Sequence, residues 1–417
     1  MPRVEIPWGA WRGNRKLSLR FPQNWKVTVA SMADSEDARP AEIRKAFANP
    51  IGTEPIRKLA EGKKTAVIAV DDLTRPTQAY RFLPLIVDEL LAGGIPEEGI
   101  AIVMAIGCHR PLMKIDQEKK LGKKMANRFR VVNHHPYENL VDLGKTSRGT
   151  PVQINRNFVE ADLKIGVGFI TPHPIAGFGG GGKIVIPGLG SMETIQANHY
   201  PAFTGSIGAA GFSKGYDLNQ NLLRLDMEEG ARMAGLDLIV NSVGTSEGQT
   251  ACVFVGDPVK AHRAAVECAR SIYVTEAPEN VDIGIFNAFP EDTELCQARK
   301  ALNVWTGNMN RRLVREGGKV VIASATSDGL GFHSLTDPGM RMFQKVDEGK
   351  SYAEIFRGRK VIVFSPNCSP ADLYTRYPRS VIIRNRWDEV LEELKEGRAG
   401  QSVAVFPNGS LQYLPID

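Results

Sequence analysis

The 417-residue chain is sparing with cysteine, with long apolar runs and with charge of one sign, and each shortage excludes a class of protein. Its five cysteines (Cys108, Cys252, Cys268, Cys296 and Cys368) are scattered, odd in number and never spaced C-x-x-C. That pattern argues against a disulfide framework or a zinc ribbon and fits a reducing cytoplasm. No apolar run approaches the ~18 residues of a membrane span, and residues 1–16 mix Trp, Arg and Gly without a signal-peptide core. A cytoplasmic protein with no membrane partner is expected. The net charge is only +5, with no block of like charges, so nucleic acid is not an expected partner. No fixed-period repeat is visible, and only one glycine run is compositionally biased.

What is present is an alternation of apolar, β-rich runs with amphipathic stretches, the signature of α/β folds with mostly parallel sheets. Residues 64–72, 99–107, 128–133 and 161–170 read as buried parallel strands. Polar or ionisable residues follow each of them: Asp72 and Arg75, then His109, then His134 and His135, then His173. Open α/β sheets bind ligands beyond the carboxyl ends of their strands, so these side chains could converge. Helices are expected over 81–92, 191–199 with Ser191 as N-cap, 219–235 and 257–271, and strands near 236–242 and 251–256. The composition resets at 275–280 (TEAPEN), and a second alternation begins: strands at 281–287, 319–324, 360–365, 380–384 and 402–406, helices from 293, over 338–346 and over 387–395. The expected organisation is a cofactor-binding and catalytic domain over 1–274, a second α/β domain over 275–405 and a tail over 406–417 packing back on the first, with the active site in the interdomain cleft.

The stretch 173–199 organises the rest. Gly177, Gly179, Gly180, Gly181 and Gly182 precede Lys183, and a histidine stands at each end, His173 and His199. Glycine is costly to order, so this density predicts a loop shaped around something that approaches the backbone, such as a phosphate-bearing cofactor. Gly177 to Lys183 fits G-x-x-x-x-G-K, the phosphate loop of nucleotide hydrolases, but that motif continues with Ser or Thr and a helix. Here Ile184, Val185, Ile186 and Pro187 follow, a strand-like run that lacks the hydroxyl and opens no helix. Bland readings stand beside the functional ones: His199 could serve a helix dipole, Arg75 a surface ion pair, and Gln297 and Lys300 an exposed helix face.

Read together, DDLTRPT at 71–77, GCHRP at 107–111, VNHH at 132–135, TPHPIAGFGGGGKIVIPG at 171–188, ETIQANH at 193–199 and QARK at 297–300 resemble the nickel-pincer lactate racemases and their 2-hydroxyacid racemase or epimerase homologues. The ordered set spans about 230 residues. The resemblance implies a pyridinium mononucleotide whose two sulfur-bearing arms and one ring carbon hold nickel in a square plane, with His199 as the fourth ligand. It implies that Lys183 can join the cofactor through a thioamide, and that Asp72 and the run Gly179, Gly180, Gly181 and Gly182 lie against it. His109 and His173 map onto the paired acid–base histidines, and Arg75, Gln297 and Lys300 onto residues that hold the substrate. The implied partners are a 2-hydroxyacid and the enzymes that make the cofactor.

The chemistry suits these residue types. Inverting a hydroxyl-bearing carbon by hydride removal passes through a planar 2-keto acid. Opposite-handed substrates place the hydroxyl on different sides, so two histidines are useful bases. A carboxylate calls for a cation such as arginine. Two rival readings follow from the residues alone: a zinc or iron enzyme with His109, His173 and His199 as three ligands, or a non-catalytic nucleotide-binding protein. The chain departs from the lactate-specific pattern by carrying glycine where a serine and an alanine interrupt the run. It also has an acidic segment, 289–294, ahead of Gln297 and no motif-level match for the family's second-domain tryptophan, for which Trp305 and Trp387 are the candidates. These departures leave the particular 2-hydroxyacid open. His134 and His135 receive no role.

Overall fold

The computed structural model describes residues 2–13, 15–204, 217–308, 310–337, 339–340, 353–396 and 400–415. The chain divides into two compact units: residues 35–245 with 249–270, and residues 1–34 with 246–248 and 271–417. Both are α/β.

The first unit is built on a six-stranded sheet in the order Thr250–Gly256, Leu238–Gly244, Leu163–Ile170, Ala66–Val70, Ile100–Met104, Arg130–Asn133. Only the Thr250–Gly256 edge is antiparallel; every other neighbour pair is parallel. The central strands are β-branched runs buried almost throughout, as strands covered on both faces must be. Val67, Ile68 and Val70 are essentially inaccessible, and each such side chain contributes roughly 1.5–3 kcal/mol by its removal from water. The chain lays down Ala66–Val70 in the middle, adds two strands on one side, then returns on the other side with Leu163–Ile170. That reversal creates a switch point between the carboxyl ends of Ala66–Val70 and Leu163–Ile170, where doubly wound sheets hold their ligands.

The second unit carries a six-stranded, all-parallel sheet in the order Ile382–Arg384, Lys360–Phe364, Val314–Ala323, Val281–Asn287, Ser402–Phe406, Lys26–Val29. Its last strand comes from the N-terminus. The division expected at 274/275 grouped residues 1–34 with the first domain; in the structure they belong to the second unit, because Lys26–Val29 pairs in register with Ser402–Phe406 and the hairpin Arg3–Trp8/Arg15–Arg20 buries Ile6 and Leu19 in the same core. The segment from 406 onward also stays with this unit, tied through Tyr413 N–H to Tyr273 O and Gln412 Nε2 to Ala30 O. The helix expected from 293 is three short turns, Leu295–Ala298, Arg299–Leu302 and Asn303–Thr306. The helix expected over 338–346 falls on positions of which only 339 and 340 are described, and the rest lies outside the described residues.

Candidate active site at the carboxyl ends of the first sheet

Ala66–Val70 ends in Asp71 and Asp72, and a turn follows that a buried cation holds from beneath. Lys120, fully buried on the helix Lys114–Leu121, reaches Asp71 Oδ1 at 2.7 Å and donates to the carbonyls of Asp72 (2.7 Å) and Arg75 (2.9 Å). Burial pulls the Lys120 ammonium below its ordinary value, with Asp71 opposing. Asp72 is thereby fixed with one oxygen taking the Thr74 N–H (2.9 Å) and Thr74 hydroxyl (2.5 Å), the other lying 2.6 Å from His109 Nδ1. Burial pushes the Asp72 carboxyl up, but the neighbouring His109, Arg75 and Thr74 outweigh it and hold the group well below the usual carboxylate range. Arg75 Nη1 donates to Thr74 Oγ1 (2.9 Å), which steadies the guanidinium beside the pair. His109 sits on the turn after Ile100–Met104, docked where Gly107 N–H meets the Gly188 carbonyl at 2.9 Å. Of the strand-end side chains expected to converge, Asp72, Arg75 and His109 do.

His173 follows Leu163–Ile170 in a tight two-stranded turn, Pro172–His173 against Gly177–Phe178. Its Nδ1 accepts the backbone N–H groups of Ala176 (3.2 Å) and Ile175 (3.4 Å). The glycine run comes next, and the protein itself fills the space beside it. A Cβ on Gly180 would meet Asn241 Oδ1 and Ile170 at 2.6 Å, and one on Gly181 the His262 ring at 2.9 Å; both have positive φ, +73° and +61°. Added at Gly179, a Cβ would meet the Phe169 carbonyl at 2.9 Å, and at Gly182 it would meet Ala231 at 3.1 Å. The glycines thus serve close packing of this segment on its own unit, a reason the sequence reading, which took them as clearance for a ligand, did not contain. The run also differs from expectation in shape: Gly181–Ile184 is a 3-10 turn, and turns rather than a strand continue to Gly190.

His199 lies on the helix Met192–Thr204, capped by Ser191, whose Oγ accepts the Thr194 N–H at 3.0 Å. The helix is tied down one residue before His199: Asn198 Nδ2 donates to Asp226 Oδ2 at 2.7 Å. His199 Nδ1 is 3.0 Å from the Ile195 carbonyl, one turn back. A carbonyl only accepts, so the proton sits on Nδ1 and the Nε2 lone pair is the one presented. Burial, with the nearby charge of Lys183, pulls this imidazole down to about 3, so it is neutral near pH 7. His199 thus feels the charge of Lys183, the residue that the resemblance pairs with it at the cofactor.

Gln297 and Lys300 sit in the second unit. Lys300 Nζ is 2.9 Å from Glu291 Oε1, a carboxylate with no solvent exposure, and Gln297 is buried beside Cys296. The acidic segment ahead of them is engaged within the unit: Asp292 accepts the N–H groups of Gly9 (2.8 Å) and Ala10 (3.0 Å), and Cys296 Sγ is 3.1 Å from Glu294. Both candidate tryptophans pack in this unit's core. Trp305 stacks on Phe286 and donates to the Arg311 carbonyl, and Trp387 packs edge-on against Phe21 and Phe364.

Three comparisons bear on this arrangement. Residues 12–210 match the family model described as the lactate racemase N-terminal domain. Lactate racemase of Thermoanaerobacterium thermosaccharolyticum is 31% identical over 338 residues, 79% of this chain and 76% of that protein. The chain belongs to the lactate racemase family. Lactate racemase of Lactiplantibacillus plantarum is 29% identical over 406 residues, 92% of each chain. Among solved structures, the lactate racemase apoprotein of T. thermosaccharolyticum superposes with a TM-score of 0.74 at 26% identity over the whole of both chains. A Thermotoga maritima protein shares the fold, with a TM-score of 0.68 at 18% identity over 92% of this chain and all of that one. The chain is accordingly a racemase, an isomerase.

In this family member, the residues that sequence reasoning missed are supports. The helix Leu222–Met233 holds both the glycine loop and the His199 helix. Its fully buried Arg224 donates to the carbonyls of Gly180 (3.0 Å), Ala176 (3.3 Å) and Phe178, and its Asp226 grips Asn198. His262 donates from Nε2 to the Gly179 carbonyl at 2.8 Å. His134 does not join His109: it is buried, 2.9 Å from the Gly190 carbonyl through Nε2. His135 is exposed. No helix among the described residues is long and apolar enough to cross a membrane.

Proposed function

We propose that this racemase inverts the hydroxyl-bearing carbon of a 2-hydroxyacid using a nickel-pincer nucleotide, with His199 as the protein's metal ligand and Lys183 as the cofactor's anchor. The observation that carries the reading is the donor set. His199 offers one neutral imidazole nitrogen within reach of the Lys183 charge, whereas among the described residues no three His, Cys, Asp or Glu side chains cluster to hold a metal ion. A single protein donor at His199 fits a metal whose other donors come from an organic pincer better than a three-histidine zinc or iron site. When bound, the cofactor supplies the hydride acceptor and donor. The chain's own residues do the rest. His109 and His173 take and return the hydroxyl proton as the substrate passes through a 2-keto acid. Arg75, Gln297 and Lys300 hold the substrate, with the arginine able to grip its carboxylate in a bidentate fashion. The enzymes that build the cofactor are the implied maturation partners, and the cytoplasm the implied compartment.

The test is coexpression with a cofactor-synthesis system, followed by intact-protein mass spectrometry, metal analysis and a panel of chiral 2-hydroxyacids. The expected result is about one nickel per chain, an adduct that Lys183→Ala abolishes, loss of nickel in His199→Ala, and loss of optical activity from at least one 2-hydroxyacid. Wild-type protein that emerges with zinc or iron and no adduct would refute the reading.

A further inference from the structure

His109 and His173 leave neighbouring positions in the sheet, two strands apart with Ala66–Val70 between them, so the strands carrying them run roughly 10 Å apart at ~4.8 Å per step. Their rings are held in opposite ways. His109 turns Nδ1 to a carboxylate, Asp72 Oδ2 at 2.6 Å. That carboxylate is itself immobilised: it is 5% exposed, its other oxygen takes the Thr74 N–H and hydroxyl, and its carbonyl rests on buried Lys120. A carboxylate kept ionised only accepts, so His109 carries its proton on Nδ1 and presents the Nε2 lone pair. His173 turns Nδ1 to two donors, the N–H groups of Ala176 and Ile175 at 3.2 and 3.4 Å. An N–H donor requires a lone pair there, so the neutral His173 ring carries its proton on Nε2.

We propose that Asp72 is a positioning residue that makes the two histidines unlike: His109 is locked as the Nδ1–H tautomer with a basic Nε2, while His173 is held as the Nε2–H tautomer by backbone amides. This rests on the reading of the two as the proton-handling pair. The two Nε2 atoms then differ in protonation, so a substrate hydroxyl that reaches His109 meets a base already set, and one that reaches His173 meets a ring that must first exchange its proton. Asp72 then acts on the substrate through His109.

The test is two-bond ¹H–¹⁵N correlation NMR on full-length protein labelled in histidine, with assignments from His109→Asn and His173→Asn. The expected pattern is a protonated Nδ1 on His109 and an unprotonated Nδ1 on His173. An unprotonated Nδ1 on His109, or a protonated one on His173, overturns the proposal. Asp72→Asn should release the His109 tautomer and slow racemisation by the cofactor-loaded protein roughly 10²- to 10⁴-fold, with the His173 pattern and far-UV circular dichroism unchanged; Asp72→Glu should restore the tautomer in part. A His109 tautomer that survives Asp72→Asn also overturns it. The spectra need no turnover. The predicted tautomers in a wild-type protein that racemises nothing would count against the racemase mechanism alone, and an active racemase with the wrong tautomers against this proposal alone.

Discussion

The loops that leave Ala66–Val70 and Leu163–Ile170 flank the same switch point, and each is held by one fully buried cation, Lys120 in the first and Arg224 in the second. The cations work differently. Lys120 meets a carboxylate, Asp71, and two carbonyls. Arg224 meets three carbonyls, those of Ala176, Phe178 and Gly180. The difference follows from what each loop has to offer. DDLTR brings its own carboxylates, so a compact ammonium can sit among them. A glycine run has only backbone to be gripped, and the planar fork of a guanidinium spreads its donors over three carbonyls. Burial pulls Arg224 down to about 10, with Glu228 opposing, so it stays charged near neutrality.

Removing the first cation should have the largest effect. Lys120→Met leaves the Asp71 carboxylate, 13% exposed, without its counter-charge, and breaking a buried pair by deleting one partner costs up to about 3–5 kcal/mol. Urea denaturation should show that loss, and adding Asp71→Asn should recover much of it. A single variant within ~1 kcal/mol of wild type would mean that the ammonium is not what holds loop 71–75.

A third strand-end loop extends the comparison, because it uses a neutral ring where the others use a cation. His134 follows Arg130–Asn133, is 1% exposed, and donates to the Gly190 carbonyl. Burial pulls it from 6.5 to about 4. Above pH 6.5 the ring is neutral folded or unfolded, so its contribution is fully present. As pH falls from 6.5 to 4 the unfolded chain takes up a proton that the fold refuses, and stability is lost; below 4 both states are protonated and the loss stops. At ~1.4 kcal/mol per pH unit the loss is at most about 3 kcal/mol. Unfolding free energies measured at pH 7 and 4.5 should converge between wild type and His134→Gln as the pH drops, and parallel curves would count against it.

How much of this was legible in the sequence varies with the kind of interaction. The buried strands were readable because a parallel sheet covered on both faces demands largely apolar runs, unbroken at Ala66–Val70. The Ser191 cap was readable because capping is local. The N-terminal strand Lys26–Val29 was not, since it is four residues long and three of them are polar or exposed; its place is set by pairing with a strand more than 370 residues away. Lys120, Arg224 and Asp226 were equally hidden: each looks like an ordinary charged residue on a helix face, and only the fold shows that the face is turned inward. The glycine run is conspicuous in the sequence, but only the fold shows that protein atoms stand where its Cβ atoms would be, because a close approach of the protein to itself leaves the same mark in sequence as a close approach to a ligand.

The smallest effect is the most specific test of the second loop. Arg224→Lys keeps the charge and the length of the stem but replaces five donors on a planar fork with a single ammonium. A lysine reaching into the same space can satisfy one or two of the three carbonyls of Ala176, Phe178 and Gly180. The carbonyls of Ala176 and Gly180 keep the backbone N–H groups of Phe178 and Lys183, so the loss is that of one or two charge-assisted hydrogen bonds, roughly 1–2 kcal/mol. The damage should be local. Hydrogen exchange at the amides of Gly181 and Lys183, which close onto Asn241 and Gly180, should accelerate well beyond the global change, while exchange in the Lys120-held loop at Thr74 and Arg75 stays put. Uniform acceleration in both loops would mean that the two cations support one cooperative unit rather than two separately held walls of the site.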